Sequence, residues 1–300
     1  MQVDKEDTTM SSQLPPRPEH SSTYPVQDRS NEEEMQRLHL QDQMANRSMD
    51  GLLAEQEHPE RFHNILDVGC GTGGWLIELA KAYPTMNKLI GVDVSNKMLD
   101  FAREQARAAG VAERVEFLVM DALRMLEFPN DFFDLVNQRS AMSWLRTWDW
   151  PKLLQEYTRV GRPQGVIRLT EIETFPTGNS PALQQLNELM MQAMYQSGHL
   201  FHTSDSKITS ELPGLLSRYG LQNVQTRAYP LEYRDGTEGR QSFIEDGQRL
   251  FRTFKPFLQK WMCLPDDYDE IYQRMVREMN DPGFVGTIVM LTAWGTVLQQ

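Results

Sequence analysis

Residues 65–75 read Ile-Leu-Asp-Val-Gly-Cys-Gly-Thr-Gly-Gly-Trp, an apolar run that passes directly into a glycine-rich turn. The run is short and aliphatic, which predicts a buried β-strand. Glycine permits tight, left-handed backbone and lets a ligand approach the main chain closely, and the N–H groups that begin the following helix point at such a ligand. The segment therefore predicts a strand–turn–helix unit that binds a nucleotide-like ligand.

The rest of the chain alternates short apolar runs with helical patterns, which is typical of parallel βαβ units. Strands are predicted at Phe62–Val68, Leu89–Val94, Val115–Met120, Phe133–Asn137, Val166–Ile172, Val224–Leu231 and Gly286–Thr296. Helices are predicted at Trp75–Ala82, Asn96–Ala109, Pro151–Val160, Ala182–Ser197, Thr209–Tyr219, Ser242–Phe257 and Asp267–Met279. The pattern predicts an α/β fold with a doubly wound, Rossmann-like sheet of about seven strands and helical cap insertions after strands five and six.

Composition divides the chain into three parts. Residues 1–30 are rich in proline and small polar residues, which predicts a disordered tail. Residues 31–60 carry apolar residues at helical spacing and predict one or two helices ahead of the first strand. Residues 61–300 form the α/β domain, and we expect its insertions at 174–220 and 235–283 to cap the carboxyl edge of the sheet, where such folds bind ligands.

The glycines of the turn leave two ligand classes open. Gly69, Gly71 and Gly74 satisfy the G-x-G-x-x-G fingerprint of dinucleotide sites. Asp67 stands at the carboxyl end of the strand, where its charge would repel a pyrophosphate but attract a cationic ligand such as S-adenosylmethionine. S-Adenosylmethionine is therefore the predicted cofactor, and an NAD(P)-dependent oxidoreductase is the alternative.

Two further acids follow the next two predicted strands. Asp93 ends the second strand, where a carboxylate can accept both hydroxyls of a ribose. Asp121 ends the third strand, where it can accept a hydrogen bond from the exocyclic amine of adenine. Aspartate also starts turns and caps helices, so each residue alone has a structural explanation. Together with the glycine turn, the two acids predict one adenosine-binding row along the sheet edge.

These motifs resemble those of the class I S-adenosylmethionine-dependent methyltransferases. Residues 65–75 resemble the first motif of that family, and residues 91–95, 119–123 and 133–139 resemble its second, third and fourth. Residues 159–165 are similar to its proline–glycine turn before strand five. The resemblance implies that the cofactor contacts Asp67, Gly69, Cys70, Gly71, Gly73, Asp93, Val94, Met98, Asp121, Ala122, Asn137 and Gln138.

A second resemblance concerns the predicted N-terminal helix. The stretch that begins at Glu34 and includes Gln41 is similar to the segment that precedes the core in small-molecule methyltransferases of secondary metabolism. In that branch the segment packs over the cofactor, so we expect residues 31–60 to cover the cofactor site. Among the aromatic residues after strand four, Trp144 is a candidate to shape the substrate pocket.

The class of methyl acceptor is predicted from charge and from a missing motif. The chain has 30 Lys and Arg against 42 Asp and Glu, a net charge of -12, which argues against a nucleic-acid partner. Nucleobase and amide methyltransferases carry an Asn- or Asp-Pro-Pro-aromatic tetrad after strand four, whereas residues 137–140 read Asn-Gln-Arg-Ser. We therefore expect methyl transfer to a small, apolar metabolite by in-line displacement. A cyclase or regulatory protein that binds the same cofactor would keep every motif and stays an alternative.

Four residues are candidates to contact the acceptor. His199 and His202 lie near the start of the predicted cap and are able to take a proton from a hydroxyl group, although solvent-facing loop histidines are the simpler interpretation. Glu171 ends strand five at the catalytic edge, and Tyr195 belongs to the cap. Acidic residues, asparagines and histidines show no metal-ligand spacing, so no metal is expected.

The sequence also indicates a cellular context. Cys70 and Cys263 are the only two cysteines, which excludes a disulfide framework and favours a reducing compartment. Residues 1–30 carry no apolar signal-peptide core. The longest apolar run, residues 284–298, falls short of the ~20 residues that a membrane span needs. We expect a cytoplasmic monomer or homodimer without a membrane span.

Overall fold

The structure is a computed structural model that describes residues 23–26, 28, 31–202, 208–262 and 264–298. Its strands are β1 (Asn64–Val68), β2 (Lys88–Asp93), β3 (Val115–Val119), β4 (Phe133–Arg139), β5 (Gly161–Gly178), β6 (Leu221–Tyr233) and β7 (Gly286–Val297). Its helices are α1 (Glu32–Ser48), α2 (Gly74–Ala82), α3 (Asn96–Ala108), α4 (Trp150–Val160), α5 (Pro181–Gln196), α6 (Ile208–Arg218), α7 (Arg240–Thr253), α8 (Lys255–Trp261) and α9 (Tyr268–Asn280).

The strands form one sheet in the order β3-β2-β1-β4-β5-β7-β6. The first five strands in this order are parallel, and β7 runs antiparallel to both β5 and β6. The predicted doubly wound sheet of about seven strands is therefore confirmed. The carboxyl ends of β1 to β4 share one edge of the sheet, where the fold brings together side chains that are far apart in sequence.

The sheet is buried on both faces. Along β1, Ile65 belongs to an apolar cluster that contains α2 and α3, whereas Leu66 belongs to the cluster that contains α4 to α9. Both side chains are fully buried. Successive residues of a strand point to opposite faces, so the unbroken aliphatic run of β1 is the pattern that a doubly covered strand requires.

Two predicted elements differ from the structure. Strand five extends from Gly161 to Gly178, because β7 pairs with it as far as Gly178, so residues 174–178 belong to the sheet and not to the cap. The helix predicted over Ser242–Phe257 is two helices, α7 and α8. Pro256 lies in the first turn of α8, where its missing N–H is tolerated but would have broken a continuous helix.

The N-terminal part packs on the domain. Asn31 caps α1 by accepting a hydrogen bond from the Glu34 N–H at 3.1 Å, and α1 packs on α7. Pro25 and Val26 are buried, so the prediction of a disordered tail is wrong for these residues, whose apolar side chains have a surface to pack on. Positions 1–22, 27 and 29–30 of that tail lie outside the described residues, as does Cys263.

One ion pair is buried in the middle of the sheet. Arg168 of β5 donates from Nε to Glu55 Oε1 at 2.7 Å, and the two side chains are only 2% and 0% exposed. Arg168 also donates from Nη1 to Asn137 Oδ1 at 2.8 Å. Because a charge at this depth is costly without a partner of opposite sign, the pair fixes the segment after α1 against the sheet.

We predict that Arg168→Met lowers the free energy of unfolding by about 3–5 kcal/mol, because it leaves the Glu55 carboxylate buried without its cation. Urea unfolding followed by tryptophan fluorescence measures this change. The control Lys81→Met breaks an exposed pair with Glu78 and is expected to lower the free energy of unfolding by at most about 1 kcal/mol. Equal losses in the two variants would contradict the prediction.

Candidate functional site

A cavity of 290 Å³ lies at the carboxyl ends of β1, β2, β3 and β4. The turn after β1, the residues that follow the other three strands, and inward-facing residues of α1 and α7 line it. Small-molecule pockets in proteins begin at about 300 Å³, so the cavity has the size of a ligand site. Of the predicted cofactor residues, it is lined by Asp67, Gly69, Cys70, Gly71, Asp93, Val94, Met98, Asp121 and Ala122.

The turn after β1 has the left-handed backbone that glycine permits. Gly69, Gly71 and Gly73 have φ values of 69°, 52° and 72°. A Cβ placed on Gly73 would lie 2.6 Å from the Phe117 ring, whereas one placed on Gly71 would meet nothing within 4 Å. Gly73 is therefore required because a side chain there would clash with Phe117. At Gly71 the space beside the main chain is empty and belongs to the cavity.

Backbone N–H groups orient the two strand-end acids. Asp93 accepts from Gly71 N–H at 3.1 Å through Oδ2 and from Ser95 N–H at 2.9 Å through Oδ1. Asp121 accepts from Leu123 N–H at 2.9 Å. Both carboxylates face the cavity. The structural and the ligand-binding interpretations of these acids are thus compatible, because the same contacts that stabilise the turns hold the carboxylates in place.

Asp67 is a buried carboxyl group at the base of the cavity. It is 4% exposed and accepts a hydrogen bond from Asn137 Nδ2 at 2.7 Å. Burial raises its pKa to about 7, while the hydrogen bond from Asn137 and the charge of Arg168 oppose that shift. A cation in the cavity would favour the ionised form of this group.

Three predicted cofactor residues stand behind the cavity wall instead of lining it. Asn137 is fully buried and bridges Asp67 to Arg168. Gln138 is also fully buried and donates from Nε2 to Glu171 Oε1 at 2.8 Å. Gly73 packs on Phe117. Their neighbours engage their polar groups or occupy their space, and their direct contact with a cofactor stays a prediction.

Glu171 is the first catalytic candidate that the structure corrects. Its carboxyl group is fully buried and accepts hydrogen bonds from the N–H groups of Ala141 at 2.8 Å and Met142 at 3.2 Å. Burial raises its pKa to about 8, although these hydrogen bonds oppose the shift. Glu171 therefore holds the turn after β4, and it is absent from the cavity wall that the described residues form.

His199, His202 and Tyr195 are also absent from the described cavity wall. His199 is buried beside the Ser197 hydroxyl at 2.8 Å, and burial lowers its pKa to about 4, so it is neutral near pH 7. The side chain of His202 is 61% exposed and lies 3.5 Å from Glu211. Tyr195 is 42% exposed. Adjacent residues on a helix point about 100° apart, so α5 directs Met194 into the cavity and Tyr195 outward.

The structure adds residues that the sequence did not indicate. Arg139, at the end of β4, lines the cavity and is held by Asp42 and by Asn46 Oδ1 of α1, the latter at 2.8 Å. Burial lowers the pKa of Arg139 to about 9.

Trp144, which the sequence suggested as a pocket residue, also lines the cavity, with its ring against Gly69. Asp246 of α7 also lines the cavity and is paired with Arg37 of α1.

In the described part of the chain, no group of three or more His, Cys, Asp or Glu residues is arranged to hold a metal ion. Within the same part, none of the helices combines the length and apolar character required to cross a membrane.

Residues 65–165 match a protein family described as a methyltransferase domain. The chain is 34% identical over 113 residues to Methyltransferase GfsG of Streptomyces halstedii, covering 37% of this chain and 38% of the relative. It is 36% identical over 125 residues to ajmaline N-methyltransferase of Rauvolfia serpentina, covering 40% of this chain and 41% of the relative. The chain thus matches less than half the length of these relatives.

The fold is similar to that of the YcgJ protein from Bacillus subtilis. The two structures superpose with a TM-score of 0.51 and 21% sequence identity, covering 88% of this chain and 99% of the other. At this identity the likeness supports the fold alone. The match within residues 65–165 covers the glycine turn, both strand-end acids and β4, which contribute to the cavity wall.

We predict that Gly71→Val abolishes binding of the cofactor product S-adenosylhomocysteine, measured by isothermal titration calorimetry. A β-branched side chain disfavours the φ of 52° and would fill the open space on the cavity wall. Gly110→Val is the matched control, since Gly110 has a φ of 70° with nothing within 4 Å but lies outside the cavity wall. Normal binding by a folded Gly71→Val protein would refute the interpretation of the turn.

Proposed function

Because the chain belongs to the class I S-adenosylmethionine-dependent methyltransferase superfamily, we propose that it transfers a methyl group from S-adenosylmethionine to a small, apolar acceptor. The observation that carries this proposal is that one cavity is lined both by the turn at Gly71 and by apolar residues such as Met194, Leu250 and Phe254. We call the part lined by these apolar residues the chamber. The ajmaline N-methyltransferase relative supports a small acceptor, since its name describes methylation of a small molecule.

The residues at the sheet edge fit this cofactor. Gly71 leaves open space on the cavity wall, so a ligand is able to lie against the main chain. Asp93 and Asp121 present carboxylates suited to ribose hydroxyls and to an adenine amine, and Met98 and Ala122 add apolar surface for the base. When bound, S-adenosylmethionine supplies a methyl group attached to positively charged sulfur.

The protein's own contribution is electrostatic and geometric. Asp67 and Asp93 give the turn a negative potential, which favours a cationic ligand over a pyrophosphate. On the acceptor side, apolar side chains such as Met194 and Phe254 exclude water and align the acceptor. Proximity and alignment therefore supply the main acceleration that these residues can provide.

We assign acceptor recognition to α1 and to the cap, whose segments we place at residues 181–220 and 235–283. α5 and α7 contribute Met194, Leu250 and Phe254 to the chamber, which supports this assignment. The position of α1 beside the cavity supports the small-molecule, secondary-metabolism branch. The low cysteine content supports a cytoplasmic enzyme.

Calorimetry tests the cofactor half of this proposal. We expect the wild-type protein to bind S-adenosylhomocysteine and to give no heat with NADH. Asp93→Asn should weaken S-adenosylhomocysteine binding about 10- to 100-fold, because it removes the charge from the hydrogen bonds that the ribose hydroxyls donate. The control Asp100→Asn removes a carboxylate of the same size from the exposed surface of α3 and should leave the affinity unchanged.

Methyl transfer itself is measured with S-adenosylmethionine that carries a radiolabelled methyl group. We expect the label to enter the organic-extractable fraction when the protein is incubated with a panel of apolar amines, alcohols and phenols. Asp93→Asn should lower this incorporation, and Asp100→Asn should retain it. Binding of NADH without binding of S-adenosylhomocysteine would overturn the proposal. Cofactor binding without labelled product from any class would favour the cyclase or regulatory alternative.

A further inference from the structure

One face of α7 forms a wall of the cavity. Phe243, Asp246 and Leu250 of α7, and Phe254 at its C-cap, recur at helical spacing and all line the cavity. Three of the four are apolar, and Asp246 is the charged member. It is 6% exposed, a degree of burial that aspartate shows almost only when it is paired. The stripe therefore places one carboxylate on an otherwise apolar face that lines the cavity.

Asp246 belongs to a buried cluster that links α1 to α7. Arg37 of α1 donates from Nη1 to Asp246 Oδ1 at 3.0 Å. Arg37 also donates from Nε and Nη2 to the two oxygens of Glu34, at 2.9 and 2.8 Å. Glu34 further accepts hydrogen bonds from the hydroxyls of Tyr24 and Thr253. The guanidinium of Arg37 is therefore shared between two carboxylates.

The sharing is unequal. Both oxygens of Glu34 are engaged, and although burial opposes the shift, Arg37 lowers the pKa of this carboxyl group. In contrast, the hydrogen bonds formed by the described residues engage only the Oδ1 oxygen of Asp246. Burial raises the pKa of Asp246, and the charges of Arg37 and, more weakly, Arg249 only partly oppose that shift. With both acids ionised, the cluster carries one negative charge that Arg37 does not neutralise.

Apart from this cluster, much of the cavity lining is apolar. It includes Phe175, Met194, Leu231, Ile288 and Met290. Charge–charge interactions are stronger in such a chamber than in water, because little solvent screens them. Among the described lining residues, both arginines, Arg37 and Arg139, are held by carboxylates. An anionic ligand would thus meet no available cation here, whereas a cationic ligand would neutralise the excess charge.

We propose that Asp246 determines acceptor specificity: the acceptor is an apolar molecule that carries a basic amine, and the Asp246 carboxylate binds that amine. This inference rests on the proposed methyltransferase function. Hydrogen bonds from a protonated amine to the free Oδ2 would complete the cluster, with Arg37 holding Oδ1 and fixing the carboxylate. A neutral alcohol of the same shape would fill the apolar chamber but leave the negative charge uncompensated.

The experiment uses the 300-residue chain saturated with S-adenosylhomocysteine. Phenylalkylamines of increasing chain length and the phenylalkanols of matching length are titrated by calorimetry at pH 7, where the amines are protonated. We expect the best amine to bind at least about tenfold more tightly than its matched alcohol, because only the amine forms a charge-assisted hydrogen bond. This comparison requires no substitution.

Two variants assign the preference to a residue. Asp246→Asn keeps an oxygen for Arg37 but removes the charge, so we expect amine affinity to fall about tenfold with little change for the alcohol. Glu245→Gln makes the same change on the exposed side of α7, where Glu245 contacts Gln241, and should keep the preference. Far-ultraviolet circular dichroism and S-adenosylhomocysteine affinity show whether each variant is folded.

Failure of this inference is distinguishable from failure of the proposed function. If the wild type does not bind S-adenosylhomocysteine, the methyltransferase proposal falls. If S-adenosylhomocysteine binds but amines and alcohols bind equally, or no amine binds, Asp246 does not select an amine. Retention of the full amine preference by a folded Asp246→Asn protein would likewise overturn the inference.

Discussion

The pairing register of β1, β4 and β5 determines the positions of the buried charged residues below the cavity. Asp67, Asn137 and Arg168 stand opposite one another on β1, β4 and β5, so their side chains project to the same face of the sheet. The Asn137 amide donates to Asp67 and accepts from Arg168, whose charge is balanced by Glu55. Because this row is fixed by backbone pairing, the glycine turn that follows Asp67 starts from a defined position.

Helix α1 holds side chains at two places on the cavity wall. Near its C-terminal end, Asp42 and Asn46 hold Arg139, which lines the cavity at the end of β4. About two turns earlier, Arg37 holds Asp246 of α7, which also lines the cavity. These contacts are made through buried or half-buried polar groups whose separation would leave charges without partners. The helix is therefore part of the site, and a fragment that begins at β1 would lack one wall of the chamber.

Local patterns predicted the sheet and the turn, because a short aliphatic run followed by glycines specifies its own conformation. They failed where a distant partner decides the outcome. The last residues of β5 carry no apolar alternation and are strand because β7 pairs with them. The amide of Asn137 was expected at the ligand, but Asp67 and Arg168 engage it. The apolar spacing around Asp246 predicted a helix, yet its exposure to a cavity depends on a helix 209 residues upstream.

Similarity to known methyltransferases covers only part of the cavity lining. Residues 65–165, which match the methyltransferase domain, contain the glycine turn and the strand-end acids. Other lining residues come from α1, the end of β5, α5, α7 and the last two strands, all outside that segment. Similarity confined to the matched segment therefore carries information about the cofactor and little about the acceptor. The acceptor's chemistry has to follow from what this chain places in the chamber, which is an apolar surface with one excess carboxylate.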